Sequence, residues 1–322
     1  MGRVLVTQRL PEGGTDPLLA AGHEVVGATG DDPWSASDLA AQAGDFDAIV
    51  CLLTDPIDAE VLRAGAAGAL RVVANVAVGF NNIDVAAAAD LGIAVCNTPG
   101  VLDETTADIA FLLILAASRL ASAAEADLRA GRWNGWGINQ YLGRDVHGSV
   151  LGIVGYGRIG VAVARRAEGF GMKVLHHSRR PTGSHGYVGT LDELMESSEV
   201  VSVHVPLNPE TWHLVGRRQL EQLGPDGVLV NTSRGPVVDE AELARALHEG
   251  TIFAAGVDVY EDEPAVHPDL LTAPRAVLLP HIGSGSRATR TRMARLACEG
   301  VVEVLSGREP SNLVKVAATP TP

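Results

Sequence analysis

Three glycines in the spacing Gly155-x-Gly157-x-x-Gly160 stand directly after the apolar run Leu151–Val154 and directly before an Ala-rich segment. Strand, glycine loop and helix in that order make a cradle for a pyrophosphate. The first glycine permits the tight turn, the second lets the backbone approach the anion, and the third lets the helix pack closely on the strand. The helix N-terminus adds free N–H groups and a partial positive charge. Tyr156, Arg158 and Ile159 complete the loop. A dinucleotide with a free ribose 2′-hydroxyl calls for Asp or Glu about 20 residues onward, at the end of the next strand. Here that strand ends His176-His177-Ser178-Arg179-Arg180, with no carboxylate. A hydroxyl and two guanidiniums complement a 2′-phosphate, so NADP(H) is the expected cofactor and NAD(H) the alternative. The same two arginines would also suit an ordinary solvated loop.

Three later segments each follow a predicted strand: Asn231–Asp239 with Arg234, Gly256–Pro264 with Glu263, and Leu279–Ser284 with His281. In an open α/β sheet the C-terminal strand ends line the ligand crevice, so a guanidinium, a carboxylate and an imidazole are expected to face one cleft. Taken singly, each is as ordinary as an ion-paired surface Arg, a loop Glu or a solvated His. No HExxH, no Cys/His cluster and no Gly-x-Ser-x-Gly elbow is present, which excludes the zinc dehydrogenase and serine hydrolase readings. His176 and His177 are strand neighbours facing opposite sides, so they make no metal pair, and no metal is expected.

These residues need a scaffold of alternating elements. Strands are predicted at Val4–Thr7, Glu24–Gly27, Ala48–Leu53, Val72–Asn75 and Ala94–Cys96, with helices such as Asp16–Ala21 and Ile57–Gly65 between them. Asp103–Leu120 is the most apolar helix and must be buried from several sides, in a core or against another subunit, and a subunit or domain interface is the expected place. After the polar stretch Gly131–Gly137 a second series begins at Ser149. Its strands are Leu151–Val154, Lys173–His176, Val200–Val205, Val228–Asn231, Ala254–Asp258 and Ala276–Leu279. A helix over Arg287–Leu305 precedes a frayed end, Ala317–Pro322.

A length of 322 residues suits two domains, and 46% hydrophobic with 20% charged residues is the profile of a folded globular chain. The net charge of −14 argues against a nucleic-acid partner, which needs clustered Lys and Arg. Cys51, Cys96 and Cys298 are too scattered for a disulfide framework or a zinc site, and a reducing cytoplasm is the simplest setting. The N-terminus reads as a strand rather than a signal peptide, Val6 rules out a myristoylation signal, and the apolar run Ile109–Ala117 is too short to span a bilayer, so no membrane partner is expected.

Taken in order, the motifs resemble the D-isomer-specific 2-hydroxyacid dehydrogenases, most closely their glyoxylate and hydroxypyruvate reductases. The resemblance covers essentially the whole chain and includes Asn75–Asp84, Asn97–Leu102, Thr106–Asp108 and His204–Thr211. It implies an α/β fold of two Rossmann-like doubly wound domains. A flavodoxin-like substrate domain, residues 1–100 and 288–322, would be interrupted by an NAD(P)-binding domain, 101–287. His281 would be the general acid/base, Glu263 would bind its other ring nitrogen, and Arg234 would hold the carboxylate and keto oxygen of a small anionic 2-oxoacid. Asn75 and the backbone at Val78 and Gly79 would bind the substrate carboxylate. Asn81 stands where many relatives have Asp. Trp133 or Trp136 would reach the substrate, sometimes across a dimer, or else pack in an interface or core. Cofactor contacts would come from Thr106, Val205, Pro206, Thr211, Thr232, Ser233, Arg234, Asp258, His281, Gly283 and Ser284, beside the glycine loop and Ser178–Arg180. A homodimer built on the apolar helix is expected. Phosphoglycerate- or phosphite-dehydrogenase-like activities and a dinucleotide-sensing corepressor-like role are the alternatives. The formate dehydrogenases pair their His with Gln, which Glu263 does not match.

Overall fold

The computed structural model describes residues 1–27, 29–181 and 183–315, so the expected frayed end, Ala317–Pro322, lies outside the described residues. The chain divides into two compact units, Met1–Leu102 with Ser284 onward, and Asp103–Gly283.

Short β-branched runs build the first unit: β1 (Arg3–Val6), β2 (Glu24–Gly27), β3 (Ala48–Cys51), β4 (Val72–Asn75) and β5 (Ala94–Cys96). They form one sheet in the order β2-β1-β3-β4-β5, every pair parallel. Every residue of β3 and β4 is buried, as parallel strands covered on both faces require. The crossovers are α1 (Asp16–Ala20), α2 (Ala36–Gln42), α3 (Ala59–Ala66) and α4 (Val85–Asp90). Side chains that capture backbone N–H groups move two expected boundaries. The strand predicted over Ala48–Leu53 stops at Cys51, because Asp55 Oδ2 takes the Leu52 amide at 2.8 Å. The helix predicted from Ile57 starts at Ala59, because Asp58 caps it through the amides of Glu60 and Val61.

In the second unit α5 (Asp103–Ser118) leads into α6 (Ala121–Arg129), and the strands are β6 (Val150–Val154), β7 (Lys173–His177), β8 (Val200–Val203), β9 (Val228–Asn231), β10 (Ala254–Val257) and β11 (Ala276–Leu278). Their parallel sheet runs β11-β10-β9-β8-β6-β7. Both sheets therefore wind outwards from an inner first strand, and the winding reverses beside β6, where the glycine loop begins. The remaining helices are α7 (Arg158–Glu168), α8 (Leu191–Glu196), α9 (Arg217–Leu223), α10 (Glu240–Glu249) and α11 (Pro268–Leu271).

The apolar helix serves the core of its own unit: Ala107, Ala110, Phe111, Leu113, Ile114 and Ala117 are buried among residues of β6, β9 and β10. Gly256 permits the close approach, since a Cβ there would lie 2.8 Å from that of Leu113. Leu113→Ala would cost about 2–5 kcal/mol. The single helix expected to Leu120 instead bends by 69° after Ser118 and continues as α6. Leu120 takes a left-handed conformation, φ 54°, and the Arg144 amide donates to the Ser118 carbonyl at 2.7 Å. No single helix among the described residues is long and apolar enough to cross a membrane. The chain then returns to the first unit as α12 (Arg287–Leu305), which packs on α1 and β4.

Candidate active site

The glycine loop is built as its spacing implies. Gly155 has φ 94°, and a Cβ there would sit 2.6 Å from the His204 carbonyl oxygen. A Cβ at Gly160 would lie 2.4 Å from the Gly155 carbonyl oxygen, so α7 packs close to its strand only with glycine there. At Gly157 nothing lies within 4 Å of an added Cβ, and this residue N-caps α7 without any side-chain hydrogen bond. The first-turn amides of α7 thus have no side-chain cap, an arrangement that fits a pyrophosphate. The Tyr156 ring stacks on His176 with centroids 3.8 Å apart, and Arg158 pairs with Asp103 at 3.3 Å.

After β7, Ser178 Oγ donates to the Arg180 carbonyl at 2.8 Å. The Arg179 guanidinium pairs with Glu210 at 2.8 Å on the exposed surface. The loop beyond β8 is braced by Thr211, whose Oγ1 donates to the Pro206 carbonyl at 2.7 Å and accepts from the Asn208 amide at 2.9 Å. That strand, expected to reach Val205, ends at Val203 as the chain turns towards Pro206, which has no N–H for a ladder. Val205 is half-buried beside it.

Three strand ends lead into the turns that carry Arg234, Glu263 and His281. Past β9, the buried Asn231 shapes the turn: its Oδ1 accepts from Ser233 N and Oγ at 3.0 and 2.7 Å, and its Nδ2 donates to the Arg234 carbonyl at 3.0 Å. The Ser233 hydroxyl is thereby engaged in the fold of its own turn, while Thr232 is buried. Arg234 donates to the Ser233 carbonyl at 2.7 Å. Burial lowers its pKa, and the Glu263 carboxylate opposes this.

Past β10, Glu263 Oε1 accepts from the Tyr260 amide at 3.0 Å, and past β11 His281 Nδ1 lies 2.8 Å from Glu263 Oε2. Burial penalises the Glu263 carboxylate, but His281, the Tyr260 amide and Arg234 together outweigh it and hold the group below the ordinary glutamate value. With Nδ1 turned to a carboxylate, Nε2 is the ring nitrogen left for proton exchange. Asp258, buried at the end of β10, accepts from the Ile282 and Gly283 amides, both at 2.7 Å, and so clamps the turn that carries His281. Burial raises the Asp258 pKa against those bonds. A Cβ at Gly283 would meet Asp258 at 3.2 Å and Thr106 at 3.5 Å, which brings Thr106 to the same spot.

In the first unit the segment after β4 is shaped by its own hydrogen bonds. Three successive carbonyls are turned into the protein: Ala77 accepts from Thr98 N at 2.9 Å, Val78 from Asn97 Nδ2 at 2.7 Å, and Gly79 from Asn75 Nδ2 at 2.8 Å. In a trans peptide the N–H points opposite the C=O, so the amides of Val78, Gly79 and Phe80 are turned the other way, as a nest for a carboxylate requires. Asn82 was missed by the sequence reading. It exchanges a hydrogen bond with Asn75 at 3.1 Å and donates to the Leu52 and Asp55 carbonyls at 3.1 and 3.0 Å. Its place in a motif beside Asn81 was the only signal. Ser284, assigned to this unit, accepts through its carbonyl from Ser286 N at 2.7 Å. Trp133 and Trp136 are 49% and 79% exposed, so the alternative in which they pack into the chain's own core is set aside.

Residues 111–283 match the family model described as the NAD binding domain of D-isomer specific 2-hydroxyacid dehydrogenases. The chain belongs to the D-isomer specific 2-hydroxyacid dehydrogenase family, and its second unit is a nicotinamide-dinucleotide-binding domain. It is 47% identical over 321 residues to a glyoxylate reductase of Korarchaeum cryptofilum, covering 97% of this chain and 95% of that one. It is 40% identical over 323 residues to a glyoxylate reductase of Thermococcus litoralis, covering 97% and 96%. Among solved structures, an NADPH-dependent glyoxylate/hydroxypyruvate reductase of Sinorhizobium meliloti, in complex with NADP and malonate, superposes with a TM-score of 0.86. That pair shares 36% identity over 97% of this chain and 96% of the other.

Proposed function

We propose that the chain is an NADP(H)-preferring reductase of glyoxylate or hydroxypyruvate, working reversibly between a small 2-oxoacid and its D-2-hydroxyacid. The bound dinucleotide supplies or accepts the hydride. Its pyrophosphate is held by the loop Gly155–Gly160, and its 2′-phosphate by Ser178, Arg179 and Arg180. Arg234 binds the substrate carboxylate and the keto oxygen and stabilises the negative charge that develops there. His281 gives its Nε2 proton to that oxygen in reduction and takes it back in oxidation. Glu263 fixes the ring orientation through Nδ1. In the first unit, the nest at Val78–Gly79, supported by Asn75, suits a carboxylate.

The observation that carries this reading is the 2.8 Å pair between His281 Nδ1 and Glu263 Oε2, on strand ends of the same parallel sheet whose β9 end leads into Arg234. A proton-donating imidazole and an arginine at neighbouring strand ends, in a dinucleotide-binding unit, are what reduction of a 2-oxoacid needs. The names of the relatives support the substrate class. A homodimer is supported by the exposed Trp133, Trp136, Ile138 and Leu142 between α6 and β6. A cytoplasmic setting is supported by three free, buried cysteines, whose thiols burial holds protonated, Cys96 and Cys298 being pushed up to about 12.

The test is turnover of the purified chain with NADPH and NADH against glyoxylate, hydroxypyruvate and pyruvate, with phosphite and 3-phosphoglycerate tried in the oxidative direction. Faster NADPH oxidation with glyoxylate or hydroxypyruvate is expected, and no acceleration by any 2-oxoacid refutes the reading. In the Arg179→Ala, Arg180→Ala double variant the KM for NADPH should rise about tenfold or more while that for NADH stays within about twofold. Equal effects would refute the 2′-phosphate assignment.

A further inference from the structure

His213 is absorbed by none of the roles above, yet it touches two other loops of the second unit, those after β9 and β10. It follows the loop beyond β8 and has φ 48°, a left-handed conformation uncommon for a side chain of its size. Its amide donates to the Pro236 carbonyl at 2.8 Å, two residues past Arg234. Its ring stands between two carboxylates: Nε2 is 3.0 Å from Glu261 Oε1, and Nδ1 is 3.4 Å from Asp239 Oδ2. Trp212 stacks on the same ring, with centroids 5.0 Å apart.

Each carboxylate is also held by a backbone amide. Asp239 Oδ1 caps α10 through the Glu242 amide at 3.0 Å. Glu261 Oε1 also accepts from the Glu240 amide at 2.8 Å, and the Glu261 amide donates to Glu240 Oε2 at 2.8 Å. The two loops so joined also touch directly. A Cβ at Gly235 would lie 1.9 Å from the Tyr260 carbonyl, so the backbone next to Arg234 rests against the residue whose amide holds Glu263. A change of register here would displace Arg234 and Glu263 together.

We propose that His213 is a positioning residue that staples the Arg234 loop to the Glu263 loop from outside the reaction centre. The staple rests on the functional reading above, because it matters to catalysis only if Arg234 and Glu263 act on substrate. The three side chains converge to within 4.8 Å, a spacing a divalent cation could use, but the two ring nitrogens face different carboxylates and one cation could take only one of them. The loop that carries Pro206 and Thr211 is braced by its own hydrogen bonds, so dinucleotide binding should be largely independent of the staple.

His213→Phe keeps a ring to stack on Trp212 and removes both nitrogens, and His213→Gln restores one hydrogen-bonding arm. Amide hydrogen exchange of the full chain should speed up about tenfold in residues 234–239 and 259–266 of His213→Phe and stay unchanged across residues 155–168. The KM for glyoxylate should rise about tenfold with dinucleotide Kd within about twofold, and His213→Gln should recover part of the loss. Unchanged exchange in the two loops overturns the proposal, as does a parallel loss of substrate and dinucleotide affinity. So does an EDTA-treated wild type that reproduces the His213→Phe exchange pattern, since a cation would then be the bridge. Exchange needs no turnover, so a wild type inactive on every 2-oxoacid would sink the functional reading while the exchange data still decide the staple.

Discussion

His281 stands in the left-handed region at φ 53° without being a glycine, which costs on the order of 1–3 kcal/mol. Two neighbours hold it there: Asp258 grips the amides of the next two residues, and Glu263 takes Nδ1. These contacts hold the turn and the Nδ1 edge of the ring, which leaves Nε2 on the opposite edge. His281→Asn should lower kcat by about 10²–10⁴-fold with dinucleotide affinity retained, as loss of a general acid does. Glu263→Gln keeps an acceptor for Nδ1–H but removes the charge beside the ring. It should cost less, about 10–100-fold in kcat/KM at neutral pH, and abolish the acid limb that Glu263 protonation produces. The Glu263 pKa lies below its ordinary value, so its contribution is complete above the ordinary glutamate range and is lost as pH falls through the lowered one. A pH–rate profile of the wild type and both variants checks these statements, and an acid limb unchanged in Glu263→Gln would remove the carboxylate from the proton chemistry.

The loop between β6 and α7 shows how one residue type does three different things within six positions. A Cβ at Gly160 would collide with the Gly155 carbonyl at 2.4 Å, whereas one at Gly157 would meet nothing. Gly160→Ala should therefore lower both stability and dinucleotide affinity. Gly157→Ala should fold with its Tm within about 2 °C, a cost of about 1 kcal/mol or less, and weaken dinucleotide binding about tenfold or more. Calorimetry and fluorescence titration separate the two, and a Gly157→Ala chain that binds as tightly as wild type would refute the cradle. This loop was legible in the sequence because its meaning is local: strand, turn and helix are contiguous. The strands were legible for the same reason, as β-branched runs at regular intervals. Their ends were not, because Asp55 and Asp58 stop β3 and start α3 by hydrogen bonds that composition does not reveal. The break after Ser118 was hidden because it depends on Gly143, where a Cβ would lie within 2.3 Å of the Ser118 carbonyl, far along the chain. Asn82 and His213 escaped notice since their partners lie across loops, 30 residues away for Leu52 and 48 for Glu261.

The whole chain carries a net charge of −14, so cationic groups that bind an anionic dinucleotide must act at short range, where burial removes the screening water. The same acidity complicates the pH dependence of stability, because lowering pH relaxes the repulsion among surface carboxylates and favours the folded state. A second influence runs the other way. His204, half-buried behind the glycine loop with Nε2 2.8 Å from Ser202 Oγ, has its pKa lowered by burial to about 4. Burial also lowers His176, which stacks on Tyr156 in the same unit. An unfolded chain takes up protons on these histidines near pH 6.5, while the folded chain leaves His204 neutral until about pH 4. Stability from this source is complete above pH 6.5, drains away as pH falls from there to about 4, and changes no further below, with His204 contributing no more than about 3 kcal/mol. Surface repulsion is screened over about 8 Å at 0.15 M salt, so the histidine influence should dominate there. Urea unfolding at 0.15 M salt should show a plateau above pH 6.5 and a decline between 6.5 and 4.5, before most carboxylates protonate. His204→Gln should flatten that decline without altering the plateau's shape, and a wild type whose stability rises through that window would show that charge repulsion outweighs the buried histidines.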